Sequence, residues 1–193
     1  MQALLQEQPR RCVELAQLAM PRFLGASDAA LERPGQGTGG LLIHFFPQER
    51  VGLVADILPE VYKLWAPGEH KIAQLELLMV LMAILSFPEQ FRNRRGLWFI
   101  DNLAALMALV NGRSDVEDLD TMARLIHSFL FSLQVWCYFD WVQSESNWSD
   151  GISRKGLADT WYKTHAFKVH VSAVCTWLWK LPLRALLRVG SYL

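Results

Sequence analysis

Cysteine is scarce. Cys12, Cys137 and Cys175 are the whole complement of the 193-residue chain, widely spaced and without a Cys-x-x-Cys pair. That excludes a disulfide framework and a thiolate zinc site, and a reducing, intracellular compartment, cytoplasmic or nuclear, is expected. Net charge is lacking too, with nineteen Lys and Arg against nineteen Asp and Glu. Retention on nucleic acid by overall charge is therefore excluded, and any basic surface must be local. Long apolar runs are missing: no window reaches the roughly 18 residues of a membrane span. The nearest, 169–187, is broken by His170, Lys180, Pro182 and Arg184. The first twenty residues, MQALLQEQPRRCVELAQLAM, lack the apolar core of a signal peptide and read as a short polar helix. A soluble chain with no membrane contact and one sizeable core is expected.

What is present divides into strands and helices. PRFLGAS from Pro21, the glycine-rich DAALERPGQGTGG and then LLIHFF read as strand, connection, strand, and Arg50 to Ile57 as a third strand. Links this short hold no crossover helix, so the three form an antiparallel meander. Ile72 to Phe87, apolar on nearly every side and rich in Leu, Met and Ala, is a buried helix. GLWFI at 96–100 is a short buried strand, followed by a helix from Leu103 to Val110 that stops at Asn111-Gly112. Ser114 to Glu117 reads as a capping box for a second long helix, and VWCYFDWV at 135–142 as a last strand. After Asp159 there are no acids, and Lys and Arg alternate with Trp and Tyr in a basic aromatic tail. The domain boundaries expected are 1–20 for an N-terminal helical segment, 21–158 for the folded domain and 159–193 for the tail.

Three carboxylates keep unusual company. Glu76 is the only charged residue between Ile72 and Phe87, and a lone buried carboxylate must be paired, protonated or given a cation. A position near the helix start, favoured by the dipole, is the plainer alternative. Asp101 closes an apolar strand at its carboxyl end, where open α/β sheets place ligand groups, or else caps the following helix. Asp150 follows the last strand, with a helix cap again the alternative. As a set, they have the chemistry for divalent cations, which in pairs about 3.5 to 4 Å apart promote phosphodiester cleavage.

The order of elements, with QLELLMVLMAI, LWFIDNLAALMALVNGRS and WVQSESNWSDGISR, resembles the ribonuclease H-like domain of retroelement reverse transcriptases. The resemblance spans roughly 22–156 and is densest from Leu75 to Arg154. It implies an α/β fold with a five-stranded mixed sheet and flanking helices, in which the strands of Phe23 and Phe99 are adjacent and parallel. It also implies Glu76, Asp101 and Asp150 as ligands of Mg2+ or Mn2+, two ions in an intact site. The family's first acid lies on strand one in an Asp-Ala-Ser or Asp-Gly-Ser triplet. The matching triplet here is Gly25-Ala26-Ser27, so a missing ligand is expected, with Asp28 as substitute only if the chain has turned before it.

Two functions follow from the resemblance. One is two-metal hydrolysis of the RNA strand of RNA-DNA hybrids, impaired by the glycine, with Glu76, Asp101, Asp150 and Asp28 as catalytic acids. The alternative is an inactive domain of the same fold that binds nucleic acid or another protein, such as a reverse transcriptase polymerase domain. Palm and fingers domains are absent from the sequence, so no polymerase activity is expected. Arg92, Arg94, Arg95, Arg154 and Lys155 are the basic residues for phosphate contacts, with solvated loops as their plainer reading.

Overall fold

The computed structural model describes residues 21–33, 36–63, 65 and 71–173. Six strands form one mixed sheet in the order β5-β4-β1-β2-β3-β6. β1 (Phe23–Arg33), β2 (Gln36–Phe45) and β3 (Glu49–Ile57) make the antiparallel meander, and β4 (Arg95–Ile100) lies parallel to β1, pairing Phe23 with Gly96 through Ala26 with Phe99. β5 (Trp136–Trp141) extends the sheet beside β4, and β6 (Lys168–Ala173) pairs in parallel with β3 at the other edge.

The sheet therefore has six strands where five were expected. Residues 159–173, assigned to the tail, form a short helix α7 (Trp161–Thr164) and the edge strand β6. The reading of the N-terminal helix falls on 1–20, outside the described residues, as does the rest of the tail from 174. No helix among the described residues is long and apolar enough to cross a membrane.

The single-turn helices α1 (Pro59–Tyr62) and α3 (Pro88–Phe91) precede and follow α2 (Ile72–Ser86), which lies on one face of the sheet and is buried from Ala73 to Ile84 because α4 (Leu103–Asn111) and α5 (Glu117–Ser132) cover its other side. A helix enclosed on all sides needs no polar stripe, hence its uniform apolarity. The opposite face carries α6 (Asp150–Lys155), where Ile152, Tyr162 and Phe167 pack on Leu42 and Val54. α5 starts two residues later than the capping box implies. Val116 is its N-cap, and Ser114 instead donates its backbone N–H to Asp120.

The glycine-rich stretch read as a connection is the paired part of β2. Gly39 and Gly40 point to opposite faces, and a Cβ at either would collide, with Met79 of α2 on one side and with the Ser153 backbone of α6, at 2.7 Å, on the other. These glycines let two helices sit directly on the sheet. They do not make a turn, so β1 runs on through Asp28 to Arg33.

Candidate metal centre

Parallel pairing of β1 with β4 ends at Ala26 and Phe99. Two residues further on lie Asp28, still within β1, and Asp101, one residue past β4, which the shared register brings level at the carboxyl end of β4. Because β4 stops at Ile100, the Ala29 N–H on that side of β1 has no strand partner there, and Glu76 of α2 accepts it through Oε1 at 3.0 Å. Asp28, Glu76 and Asp101 each offer an oxygen, and these atoms lie within 4.8 Å of one another.

The surroundings hold each acid differently. Asn102, not Asp101, caps α4, accepting the Ala105 N–H at 3.1 Å. That leaves Asp101 to accept the Ser144 hydroxyl at 2.5 Å. Asp28 accepts the Ser153 hydroxyl. Asn147, almost fully buried, donates to the Ser27 carbonyl at 3.0 Å while accepting from the Ser149 hydroxyl and N–H. The spacing of Ser144, Asn147, Asp150 and Ser153 thus becomes a strap across the end of β1 and β4.

Asp150 is the first residue of α6 and lies outside the tight trio. Its carboxylate accepts from Arg154 at 2.6 Å, although its charge reaches Asp28. Of the acids expected as ligands, the structure thus brings Glu76 and Asp101 together with Asp28, and leaves Asp150 beside them. Gly25 does not face the acids, as a vacated ligand position would. It sits three residues before Asp28 on a continuous strand and so faces the other way, against the Trp98 ring, where a Cβ has no room. Trp98 also donates to the Ser27 hydroxyl at 3.0 Å on that face. The sequence signal for Asp28 was the triplet Asp28-Ala29-Ala30, as small-sided as Gly25-Ala26-Ser27.

Arg92, Arg94 and Arg95 are not brought to the acids. They precede β4 or open it, about 20 Å from its far end at roughly 3.3 Å per residue. Arg92 bonds Glu89, and Arg94 lies over the Phe45 ring. Arg154, in the last turn of α6 with Lys155, does lie near the site, bonded to Asp150 and within charge reach of Asp28 and Asp101.

Burial pushes the Asp28 carboxyl up from its ordinary 3.8 to about 6, opposed by the Ser153 hydrogen bond and reinforced by the charges of Asp101 and Asp150. Glu76 is raised well above the usual range by burial, then by Asp28 and Asp101. Its Oε2 is buried with no hydrogen-bond donor. An acceptor without a donor, among two further carboxylates, fits a hard divalent cation.

Both shifts have a consequence for stability. An acid whose folded pKa exceeds its unfolded value binds its proton more tightly when folded. Its favourable contribution is therefore present below the unfolded value and lost as pH rises through the folded one. Without divalent ions, this site should destabilise the fold between about pH 4 and pH 6, the window set by Asp28. Saturating Mg2+ should then raise the melting temperature more at pH 7.5 than at pH 5, and equal shifts at both would argue against cation binding by these acids.

Ser153 gives a second expectation. Removing a partner that orients a metal ligand typically weakens binding about 10- to 100-fold. Ser153→Ala should do so for Mn2+ in a calorimetric titration, and an unchanged affinity would show that Asp28 needs no such support.

A mixed sheet of this order, with helices on both faces, is the ribonuclease H-like fold. Solved structures with the same architecture include RNase H1 from the halophilic archaeon Halobacterium salinarum NRC-1, at TM-score 0.53 and 14% identity, covering 72% of this chain and 98% of that one. The N-terminal RNase H domain of a Mycobacterium tuberculosis protein, solved as a fusion with maltose-binding protein, aligns at TM-score 0.54 and 12% identity over 76% of this chain and all of that one (100%). No family model and no curated protein matches the sequence.

Proposed function

We propose that this chain is a ribonuclease H-type nuclease that hydrolyses the RNA strand of RNA-DNA hybrids. The observation that carries the reading is the convergence of Asp28, Glu76 and Asp101 from β1, α2 and the end of β4. These acids would hold Mg2+ or Mn2+, with Asp150 at the margin. When bound, the ions would stabilise negative charge on the attacking and leaving oxygens of a phosphodiester. The chain's own residues do the positioning. Ala29 and Ser153 fix the carboxylates of Glu76 and Asp28, Ser144 fixes Asp101, and Arg154 keeps Asp150 turned toward α6.

The inactive alternative rested on a vacancy at Gly25, and an acid at Asp28 removes its motive. The strap from Ser144 to Arg154 supports descent from a retroelement polymerase, which would make a polymerase domain a natural partner. The test is cleavage of an end-labelled RNA-DNA hybrid with Mg2+ or with EDTA, beside double-stranded DNA and double-stranded RNA of the same sequence. Metal-dependent loss of the RNA strand of the hybrid alone is expected. No cleavage of any duplex at millimolar Mg2+ and Mn2+ would sink the proposal.

A further inference from the structure

At the end of the sheet opposite the acids, the start of β5, the end of α5 and the residues before β4 enclose an open cleft of about 1000 Å³. Three large rings stand on it largely bare: Phe131 at 86% exposure, Trp136 at 72% and Tyr138 at 59%. Rings this exposed and this close together forgo the burial that folding normally gives them, and such clusters mark binding surfaces. Arg94 and Arg95 also line the cleft, and none of the described lining residues is an Asp or Glu. Within a chain of zero net charge, this is a local cationic surface with aromatic faces. β5, at the edge of the sheet, then leads from the cleft to Trp141, half-exposed, whose indole N–H donates to the Asp101 carbonyl at 3.2 Å.

We propose that this cleft binds a single strand of nucleic acid, with bases stacked on Trp136, Tyr138 and Phe131 and phosphates held by Arg94 and Arg95. Flat rings accept any base, and guanidinium groups follow the backbone, so the site recognises strandedness rather than sequence. Among the described lining residues, two arginines and no acid favour a polyanion over an ordinary protein surface, which presents both signs of charge. Binding here does not depend on the nuclease reading. If that reading holds, the cleft would take the unpaired extension of a hybrid whose duplex lies at the acids, about 20 Å along β4 and β5.

The test measures fluorescence polarisation of a labelled 12-nucleotide oligo-dT with the full chain in EDTA, where no cleavage is read. Failure would leave the hybrid-cleavage result untouched, and the reverse also holds. Wild type should bind with an affinity that falls steeply with salt. Trp136→Ala combined with Tyr138→Ala should weaken binding at least tenfold, since each lost stacking contact costs about 5- to 150-fold. An unchanged melting temperature for the pair would show that the fold survives, and Phe131→Ala, the most exposed change, gives an independent reading. Absence of oligo-dT binding by wild type would overturn the proposal. So would equal binding by the variants. A change from dimer to monomer in sedimentation, with oligo-dT affinity retained, would assign the rings to a second copy of the chain instead.

Discussion

Asp28→Asn should lower hybrid cleavage by more than about 100-fold while making the metal-free protein more stable at neutral pH. Loss of a supporting partner already costs about 10- to 100-fold, and a residue at the centre of the acid trio should cost more. The opposite sign on stability follows from crowding. Asp28 is 3% exposed, its carboxyl is raised to about 6, and it faces Glu76 and Asp101. The amide keeps the shape and an oxygen for the Ser153 hydroxyl while removing one of three like charges. A misfolded variant would lose activity and stability together, so the pair of readings, cleavage rate and melting temperature in EDTA, separates the cases. Activity within a few-fold of wild type would remove Asp28 from the site.

Gly25→Asp, which the sequence pattern marks as a repair, should instead cripple the fold and gain no activity. A Cβ there would collide with the Trp98 ring, itself 1% exposed and tied to Ser27. Overpacking of this kind costs about 1 to 3 kcal/mol, and a buried carboxylate without a partner adds several more. Gly25→Ala isolates the first contribution. Urea unfolding of both variants should show about 1 to 3 kcal/mol lost for Ala and a largely unfolded Asp variant. A stable Gly25→Asp protein with tighter Mg2+ binding would restore the register that places the first acid at residue 25.

The helix α2, the strand β4 and the acid at Asp101 were legible because each rests on local pattern. A continuous apolar run, a buried pentapeptide and an Asp-Asn step survive without knowledge of their neighbours. The extent of β1 was not legible. Gly39 and Gly40 resemble turn residues in one dimension, and only the helices above and below explain them as room for Met79 and Ser153. Ending the strand at Ser27 displaced the first acid by three residues and created an apparent gap at Gly25. Asp150 was singled out, but its commitment to Arg154 depends on the turn of α6 that sets the two side by side. The arginines before β4 were legible as local basic residues, but not their distance from the acids, because a strand carries its two ends apart.

The strap across β1 also governs when the site comes into being. Asp28 meets Ser153 across 125 residues and Asn147 meets the Ser27 carbonyl across 120, while Thr38 reaches the Ser153 carbonyl across 115. Closing loops of that length exacts its entropy before any contact is gained, which makes such pairings late events in folding. Helices α2 and α5 can form and pack before them. A chain caught at that stage would possess most of its apolar core and no oriented carboxylates, so metal affinity would appear only with completion of the sheet and the docking of α6.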